Sequence, residues 1–578
     1  MKITRIIFLI AGFITVLICS YFLVNKSLWG NIPLWLFLGL WVIVVFSRSK
    51  WIISSKYHLR WLLLSVISAV SLTIGFPPNV FFLGMALGFI PILVIEKEIF
   101  SINQKASPWL FWRYLFSTFW LWNILATYWV ANAALVAGLF ANVVNALLMT
   151  IPWIIFHIIC RKNFNWWRYV ILACMWIMFE YIHSVWEISW PWLTLGNSLG
   201  TAYQFAQWYE YTGYFGGSIW IWALNIAGFY ILSGSTIRKT YLTGIFLLIF
   251  IIPSLFSLYL YKNTPELGKE INVSIIQPNY EPHYEKFSVP TEVQVAKMFR
   301  LADSVIDKET KLILFPETIL DPVNLDQLYA RSPYMLELHE LFRKAPNAYI
   351  VAGLGGYHTF STPPDRPSVR ESEGTYYEVY NAAVMLQPDT AVVQEYYKSK
   401  FVPGAEIFPY KNILPFLKPL VRKLGGTYEG FAGQPYPTNF TFDQGSVAPI
   451  ICYESIYGGY VAKYVRSGAN LLAIMTNDGW WDDTPGYRQH LAIGRLRAIE
   501  NRRDIIRSAN TGISCFINQR GDVSQPTLYE TDAAINGKVN LNKKTTFYTR
   551  HGDWILWIVW ISGIGLIVLN YILYNKKK

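Results

Sequence analysis

Glu317, Lys398 and Cys452 are three residues whose side chains could together break and remake an acyl bond. Glu317 ends the string LILFPE, Lys398 lies in YYKSKFVPGAE, and Cys452 closes the apolar run APIIC ahead of Tyr453 and Glu454. A thiol with a pKa of about 8.5 is mostly protonated at neutral pH, so it needs a base before it can attack a carbonyl. Glu317 is suited to take that proton. A neighbouring ammonium would favour the thiolate and balance the oxyanion of a tetrahedral intermediate, where one donor is worth about 10²–10³ in rate. Lys398 could supply that charge. Each residue also has a plainer reading: a carboxylate after a strand can cap a helix, a loop lysine is usually solvated, and a buried cysteine often serves as a small hydrophobe.

The remaining cysteines narrow the choice. Cys19, Cys160 and Cys174 lie in long apolar stretches, and Cys515 fits ordinary packing better than Cys452 does. A Cys452–Cys515 disulfide is the alternative in an oxidising compartment. There is no CxxC pair or Cys/His group at zinc spacing, so no metal is expected, and the chemistry calls for no cofactor.

Such residues need a rigid scaffold. Strand-like runs occur at 271–277, 311–316, 348–354, 448–454, 471–477 and 513–518, with helical patterns at 290–308 and 486–503. Strands alternating with helices predict an α/β layered domain over 262–551 that presents all three residues at strand ends or loops.

The rest of the chain is of another kind. It is 53% hydrophobic and 17% aromatic, with only 15% charged residues, the composition of a membrane protein. Apolar runs near 4–24, 30–47, 61–76, 80–95, 111–132, 137–160, 168–186, 214–235, 241–261 and 552–574 are candidate spans. The third and fourth are short and could be broken at Pro77-Pro78. Basic residues set the orientation. With the N-terminus inside, the cytoplasmic segments hold Lys2 and Arg5; Arg48, Lys50, Lys56 and Arg60; Lys97, Lys105 and Arg113; Arg161, Lys162 and Arg168; Arg238 and Lys239; and Lys576 to Lys578. The short opposite loops hold Lys26 alone, and Trp186 to Thr212 contains no Lys or Arg. Both termini are therefore expected in the cytoplasm and the block 262–551 outside it. The first helix lacks a small-residue cleavage site before Cys19 and reads as an uncleaved anchor. The net charge of +12 records this topology and implies no nucleic-acid partner.

The strings FPET, YYKSKFVPGAE and ICYES, in that order, resemble the nitrilase superfamily. With membrane helices on either side, the chain looks like the membrane-embedded branch, the apolipoprotein N-acyltransferase family. The likeness extends through WPWLTLGNS at 190–198, IIQPN at 275–279, NDGWW at 477–481, the segment 488–514 and YTRHGDW at 548–554. It covers residues from about 58 to the C-terminus. The resemblance implies a polytopic helical membrane bundle plus an extramembrane α-β-β-α sandwich. The chain then divides into four expected parts: an additional hairpin at 1–50, a bundle at 51–261, a periplasmic catalytic domain at 262–551, and a last helix with a basic tail at 552–578. Glu317 would be the general base, Lys398 the oxyanion cation and Cys452 the nucleophile, supported by Glu406, Tyr453, Glu454 and Asn381. The implied reaction moves a fatty acyl chain from a phospholipid, through a thioester, to the α-amino group of a diacylglyceryl-modified cysteine on a lipoprotein. The implied location is the bacterial inner membrane, with a monomer expected.

Two departures stand out. Residues 1–50 precede the family's usual spans, and where the family often has a Trp after the IIQPN strand this chain offers Tyr284 or Phe287. The stretch Gly404 to Phe440, rich in Gly, Pro, aromatic and basic residues, reads as a lid or arm dipping into headgroups, with Phe408, Phe416 and Leu417 as its apolar contacts. Trp190, Trp192 and Trp208 are read as interfacial anchors in preference to an acyl entrance. Two other functions fit parts of the pattern. A tethered amidase would use water as acceptor. A transporter would need more ionisable residues in its spans than Glu180 and His183.

Overall fold

The computed structural model describes residues 2–26, 28–47, 56–102, 107–160, 167–233, 236–286, 288–327, 338–388, 393–419 and 428–575. Phe287 and several of the charges used for orientation, among them Arg48, Lys50, Lys105, Arg161, Lys162 and Lys576 to Lys578, lie outside them.

The first nine apolar runs are helical: α1 (Lys2–Asn25), α2 (Ile32–Ser47), α3 (Lys56–Ile74), α4 (Ile90–Ile102), α5 (Pro108–Thr127), α6 (Leu135–Cys160), α7 (Arg168–Val185), α8 (Tyr214–Ser233) and α9 (Thr236–Asn263). Among the described residues six helices are long and apolar enough to cross a membrane: α1, α3, α6, α8, α9 and the last helix of the chain. The others are shorter or richer in Trp, Tyr and Asn, whose polar edges lower their hydropathy. The chain is a multi-pass membrane protein.

Beyond Asn263 the chain forms β1 (Lys269–Gln277), α10 (Thr291–Asp303), β2 (Thr310–Leu314), β3 (Leu320–Asn324), β4 (Tyr349–Phe360), β5 (Arg370–Ser372), β6 (Thr375–Leu386) and β7 (Gln394–Tyr397). It continues through β8 (Phe440–Phe442), β9 (Gly445–Ile451), α11 (Gly458–Arg466), β10 (Leu471–Thr476), α12 (Pro485–Asn501), β11 (Ile505–Ala509), β12 (Cys515–Ile517), β13 (Val523–Ser524) and β14 (Ala533–Leu541), and ends in α13 (Ile555–Asn575). One sheet runs β14-β1-β2-β4-β6-β5, with β3 on β4 and β7 on β6; the other runs β13-β12-β11-β10-β9-β8. β1 pairs in parallel with β2 and antiparallel with β14, from Lys269↔Leu541 to Gln277↔Ala533.

Side-chain alternation makes these layers. On β2, Leu312 and Leu314 face the second sheet, while Ile313 and Phe315 join Val295 and Met298 of α10 in a separate outer core. β10 is buried along its whole length, as a central parallel strand covered on both faces must be. The result is the α-β-β-α sandwich.

The inter-sheet core does not stop at the domain boundary. Ile450, Ile474 and Ile506 belong to the same contiguous apolar cluster as Trp129, Trp192 and Phe215 of the bundle. Helix α12 forms the seam. Gln489 accepts from Trp192 Nε1 at 2.7 Å and donates to the Ala126 carbonyl at 2.9 Å, and Glu500 accepts from Tyr214 N at 3.1 Å. Just past α12, Arg502 reaches Glu210 at 2.7 Å and Gln207 Oε1 at 2.7 Å. Within α12, Arg497 is wholly buried on Glu500 at 2.9 Å, whereas Arg488 stays exposed.

This seam corrects the anchor reading of the tryptophans. Trp192 is only 1% exposed, stacks on Trp190 at 5.5 Å and meets Trp129 at 4.9 Å. Trp208 is buried against Tyr209 and Trp220. Trp190 and Trp192 pack between bundle and domain and Trp208 packs within the bundle, which the absence of Lys and Arg from 186–212 could not distinguish from an interfacial belt. His183 and Glu180 are likewise buried and bonded within the bundle, to Asn145 and Trp186 and to Trp176 and Leu195 N respectively. The Cys452 and Cys515 thiols are both free, and Cys515 is fully buried.

Candidate active site

Cys452 stands where β9 ends and a short 3-10 turn, Cys452–Ile456, begins. Its φ of +48° is a left-handed conformation that a residue with a Cβ adopts only when its surroundings impose it. The surroundings do so from both sides. Glu454 Oε2 accepts from Ile451 N at 3.0 Å, and Ser455 Oγ donates to the Cys452 carbonyl at 2.8 Å. This sharp elbow lifts the thiol off the strand end. Cys452 Sγ lies 3.3 Å from Thr476 Oγ1. Burial and the nearby Glu317 carboxylate push the thiol's pKa well up, with Lys398 opposing them, so the resting group is the neutral thiol.

Glu317 follows β2 across Pro316. Its Oε1 accepts from Asn381 Nδ2 at 2.8 Å and Lys398 Nζ at 3.3 Å, and its Oε2 from Asn477 N at 3.1 Å. Gly353 of β4 lies beneath: a Cβ there would come within 2.7 Å of Glu317 Cα and of the Pro316 carbonyl. Only glycine lets β4 pass this close to the loop that carries Glu317.

Lys398 follows β7 and is 1% exposed. Its Nζ donates to Glu406 Oε1 at 2.7 Å as well as to Glu317. Burial alone would lower its pKa, but Glu406 and Glu317 outweigh that and hold the ammonium charged, above the ordinary lysine range. An ammonium has three N–H bonds, so one remains to face a ligand.

The accessory residues expected from sequence lie around these three. Asn381 of β6 bridges Glu317 and, at 3.3 Å, Glu406, while its carbonyl accepts from Lys398 N at 2.9 Å. Glu406 Oε2 accepts from Val402 N at 2.8 Å, closing its own loop. Glu454 Oε1 accepts from Tyr396 OH at 2.6 Å and from Ser399 N at 2.8 Å, so one buried carboxylate ties the lysine loop to the cysteine elbow. Burial raises its pKa to about 7. Tyr453 points the other way, donating to the Ser189 carbonyl at 2.9 Å and stacking on Trp190 at 6.1 Å.

Glu454→Gln should test the tie between the loops. Both oxygens of Glu454 face donors, and an amide must turn an N–H toward one of them. The expected result is a fall of at least about tenfold in single-turnover thioester formation, read by quenched-flow mass spectrometry, with substrate affinity little changed.

A further network supports the elbow, and sequence reasoning missed it. Asp478 accepts from Thr476 Oγ1 at 2.7 Å and Arg507 Nη2 at 2.5 Å and bonds His490 Nδ1 at 2.9 Å; His490 Nε2 lies 3.2 Å from the Cys452 carbonyl. Burial alone would raise the pKa of Asp478, but Arg507 and His490 outweigh it and hold the carboxyl low, while burial lowers that of His490. The signal was present in NDGWW, a polar pair directly after a fully apolar strand. Tyr284, offered as a stand-in for the family's Trp, is 48% exposed, whereas the nearby Lys286 is buried and donates to Thr318 Oγ1 beside Glu317.

An α-β-β-α sandwich with a Glu-Lys-Cys cluster at its strand ends, sharing one core with a helical bundle, defines a membrane-embedded protein of the carbon-nitrogen hydrolase class. The carbon-nitrogen hydrolase family profile matches residues 272–543, and the profile described as the apolipoprotein N-acyltransferase N-terminal domain matches 68–227. The chain belongs to the apolipoprotein N-acyltransferase family. It is 29% identical to the apolipoprotein N-acyltransferase of Chlorobaculum tepidum over 87% of this chain and 96% of that one. Against that of Geobacter metallireducens the identity is 25%, over 87% and 94%.

Proposed function

We propose that this chain transfers a fatty acyl group from a membrane phospholipid to the α-amino group of a diacylglyceryl-modified N-terminal cysteine on a lipoprotein. The reading assigns the catalytic roles to Glu317, Lys398 and Cys452. Glu317 takes the thiol proton as Sγ bonds to the ester carbonyl carbon. The ester C–O bond then breaks, and Glu317 returns the proton to the departing lysophospholipid oxygen. The free N–H of Lys398 faces the oxyanion. In the second half, the lipoprotein's amine attacks the thioester carbonyl and gives its proton to Glu317, the C–S bond breaks, and Glu317 passes that proton to the departing sulfur to restore the thiol. Glu406 and Asn381 keep Lys398 and Glu317 in register, and Glu454 fixes the two loops.

The observation that carries this reading is the contact of Tyr453 with Ser189 and Trp190: the residue next to the nucleophile is bonded to the membrane bundle. A nucleophile seated there meets a substrate that never leaves the bilayer. In this reading the domain lies on the periplasmic side of the inner membrane, with both termini cytoplasmic. The test is intact-protein mass spectrometry with phosphatidylethanolamine, followed by a diacylated lipopeptide. Gain of one fatty-acyl mass and its loss to the peptide's amine is expected. Hydrolysis of small amides with indifference to lipid would sink the proposal in favour of an amidase.

The loop beyond Glu406 fits lipid entry. Ile413 and Phe416 are each 72% exposed beside Lys411 and Lys418, while Phe408 packs inward on Tyr428 at 5.4 Å; the side chain of Leu417 lies outside the described residues. Apolar tips flanked by amines suit the headgroup region. Replacing Ile413 and Phe416 with serine should raise the KM for vesicle phospholipid several-fold while transfer from detergent-solubilised donor stays near wild type. Equal rates from vesicles would remove the lid.

A further inference from the structure

The hairpin α1–α2 lies outside the segments matched by both family profiles, yet its outer turn reaches the catalytic domain. Gly30 N donates to Asp482 Oδ2 at 2.9 Å. Asn132, in the loop after α5, donates through one amide nitrogen to the Gly30 carbonyl at 3.0 Å and the Trp481 carbonyl at 3.0 Å. Tyr128 OH donates to Asn31 Oδ1. Both ends of the tether hold unusual backbone: Gly30 has φ +51° and Asp482 φ +58°, left-handed conformations that point the N–H and the carboxylate at each other.

Asp482 sits at the outer end of the segment Asn477–Thr484, and that segment is built into the site. At its inner end Asn477 N is on Glu317 Oε2, and Asp478 holds Thr476, His490 and Arg507. Between them the Trp481 ring packs on Trp129 at 4.7 Å and His490 at 5.6 Å. The seam with the hairpin is not closed by apolar packing. A cavity of about 150 Å³, lined by Leu28, Trp29, Asn132, Ala133, His283 and Asp482, lies along it. The Gly30–Asp482 and Asn132 bonds therefore hold the segment's outer end to the hairpin, beyond the point where Trp481 packs on Trp129. α2 is itself held to the bundle, with Phe37 and Trp41 buried and Trp41 Nε1 donating to the Ser117 carbonyl at 3.0 Å.

We infer that the N-terminal hairpin is a positioning element for catalysis: through Gly30 and Asp482 it clamps the Asn477–Thr484 segment so that the Asn477 N–H stays on the carboxylate of Glu317. The inference rests on the proposed role of Glu317 as base. Asp482 is a positioning residue that touches no reacting atom.

The decisive variant is Asp482→Gly, which removes the carboxylate without adding backbone strain, set beside Asp482→Asn, which has the same shape as the aspartate and whose amide oxygen still accepts from Gly30. A displacement of about 1 Å at a reacting group can cost up to about 10²-fold. Asp482→Gly is expected to lower kcat for acylation from phosphatidylethanolamine about tenfold, with KM and Tm nearly unchanged, and Asp482→Asn to restore it. A second readout does not depend on the acyl substrate. Alkylation of Cys452 by iodoacetamide should slow several-fold in Asp482→Gly at pH 7, where the base must help. The difference should narrow as the pH is raised toward 10, where hydroxide can take the thiol proton in place of Glu317. In a chain lacking residues 2–47 the Asp482→Gly change should have no further effect, because the clamp is already gone. Wild-type rates and alkylation profile in Asp482→Gly, no rescue by Asp482→Asn, or a rate loss that only tracks a fall in Tm would each overturn the inference. If wild type fails to acylate from phospholipid while the alkylation differences hold, the transferase reading fails and the clamp stands.

Discussion

Cys452→Ala is expected to abolish the acyl adduct and to lower N-acylation of a diacylated lipopeptide by at least about 10³-fold, since loss of the proposed nucleophile leaves only binding and electrostatic assistance. The protein should stay folded. Cys452 is partly exposed, and the turn it opens is held by Ile451 N on Glu454 and Ser455 Oγ on the Cys452 carbonyl, bonds that do not involve sulfur. Cys452→Ser is the sharper comparison. A hydroxyl is far harder to deprotonate than a thiol, so the serine variant should accumulate little or no ester within the time wild type completes acylation. A serine variant with wild-type transfer, or an alanine variant that still gains one fatty-acyl mass, would remove Cys452 as the acyl carrier.

Lys398→Met is expected to cost about 10²–10³ in kcat with a smaller change in KM, the range found when one oxyanion donor is removed. The size follows from the position of the ammonium. Its Nζ is buried, 2.7 Å from Glu406 and 3.3 Å from Glu317, so methionine removes the proposed oxyanion donor and the cation between two carboxylates together. A companion change separates the two effects. Lys398→Met with Glu406→Gln relieves the uncompensated charge without restoring the donor. If the double variant regains wild-type kcat, Lys398 acts only as a counter-ion; if it stays at the level of Lys398→Met, the ammonium is needed at the reacting carbonyl. Stopped assays of thioester formation read both.

The strands that the sequence reveals are those whose side chains are apolar on both faces or alternate cleanly, such as LLAIMT at Leu471–Thr476 and KEINVSIIQ at Lys269–Gln277. β6 and β14 were passed over for a physical reason. Tyr376, Tyr377 and Glu378 begin β6, and Lys538 and Asn540 punctuate β14, because these strands carry polar residues that bond locally or face solvent. At the site, Glu317, Lys398 and Cys452 announced themselves by chemical type at strand ends. The N–H of Asn477 did not, because a backbone donor leaves no mark in a side-chain pattern. Arg507 read as one more basic residue, yet it is wholly buried on Asp478. Helix α12 shows in the sequence as an interleaving of apolar and basic positions, a pattern that does not tell that Arg497 is buried on Glu500 and the Ile456 carbonyl.

The pairing of β1 with β14 sets the timing of this protein's biogenesis. β1 is the first strand to emerge beyond the first nine helices, and the edge partner that covers its open side comes only just before α13. Until that last stretch is synthesised, β1 presents an unpaired row of backbone donors and acceptors on its open side. The domain therefore completes its sheet at about the moment its final helix inserts. A ribosome stalled before Ala533 would leave a chain whose helices are placed and whose enzyme is unfinished, and such chains should be preferred substrates for membrane-associated quality-control proteases.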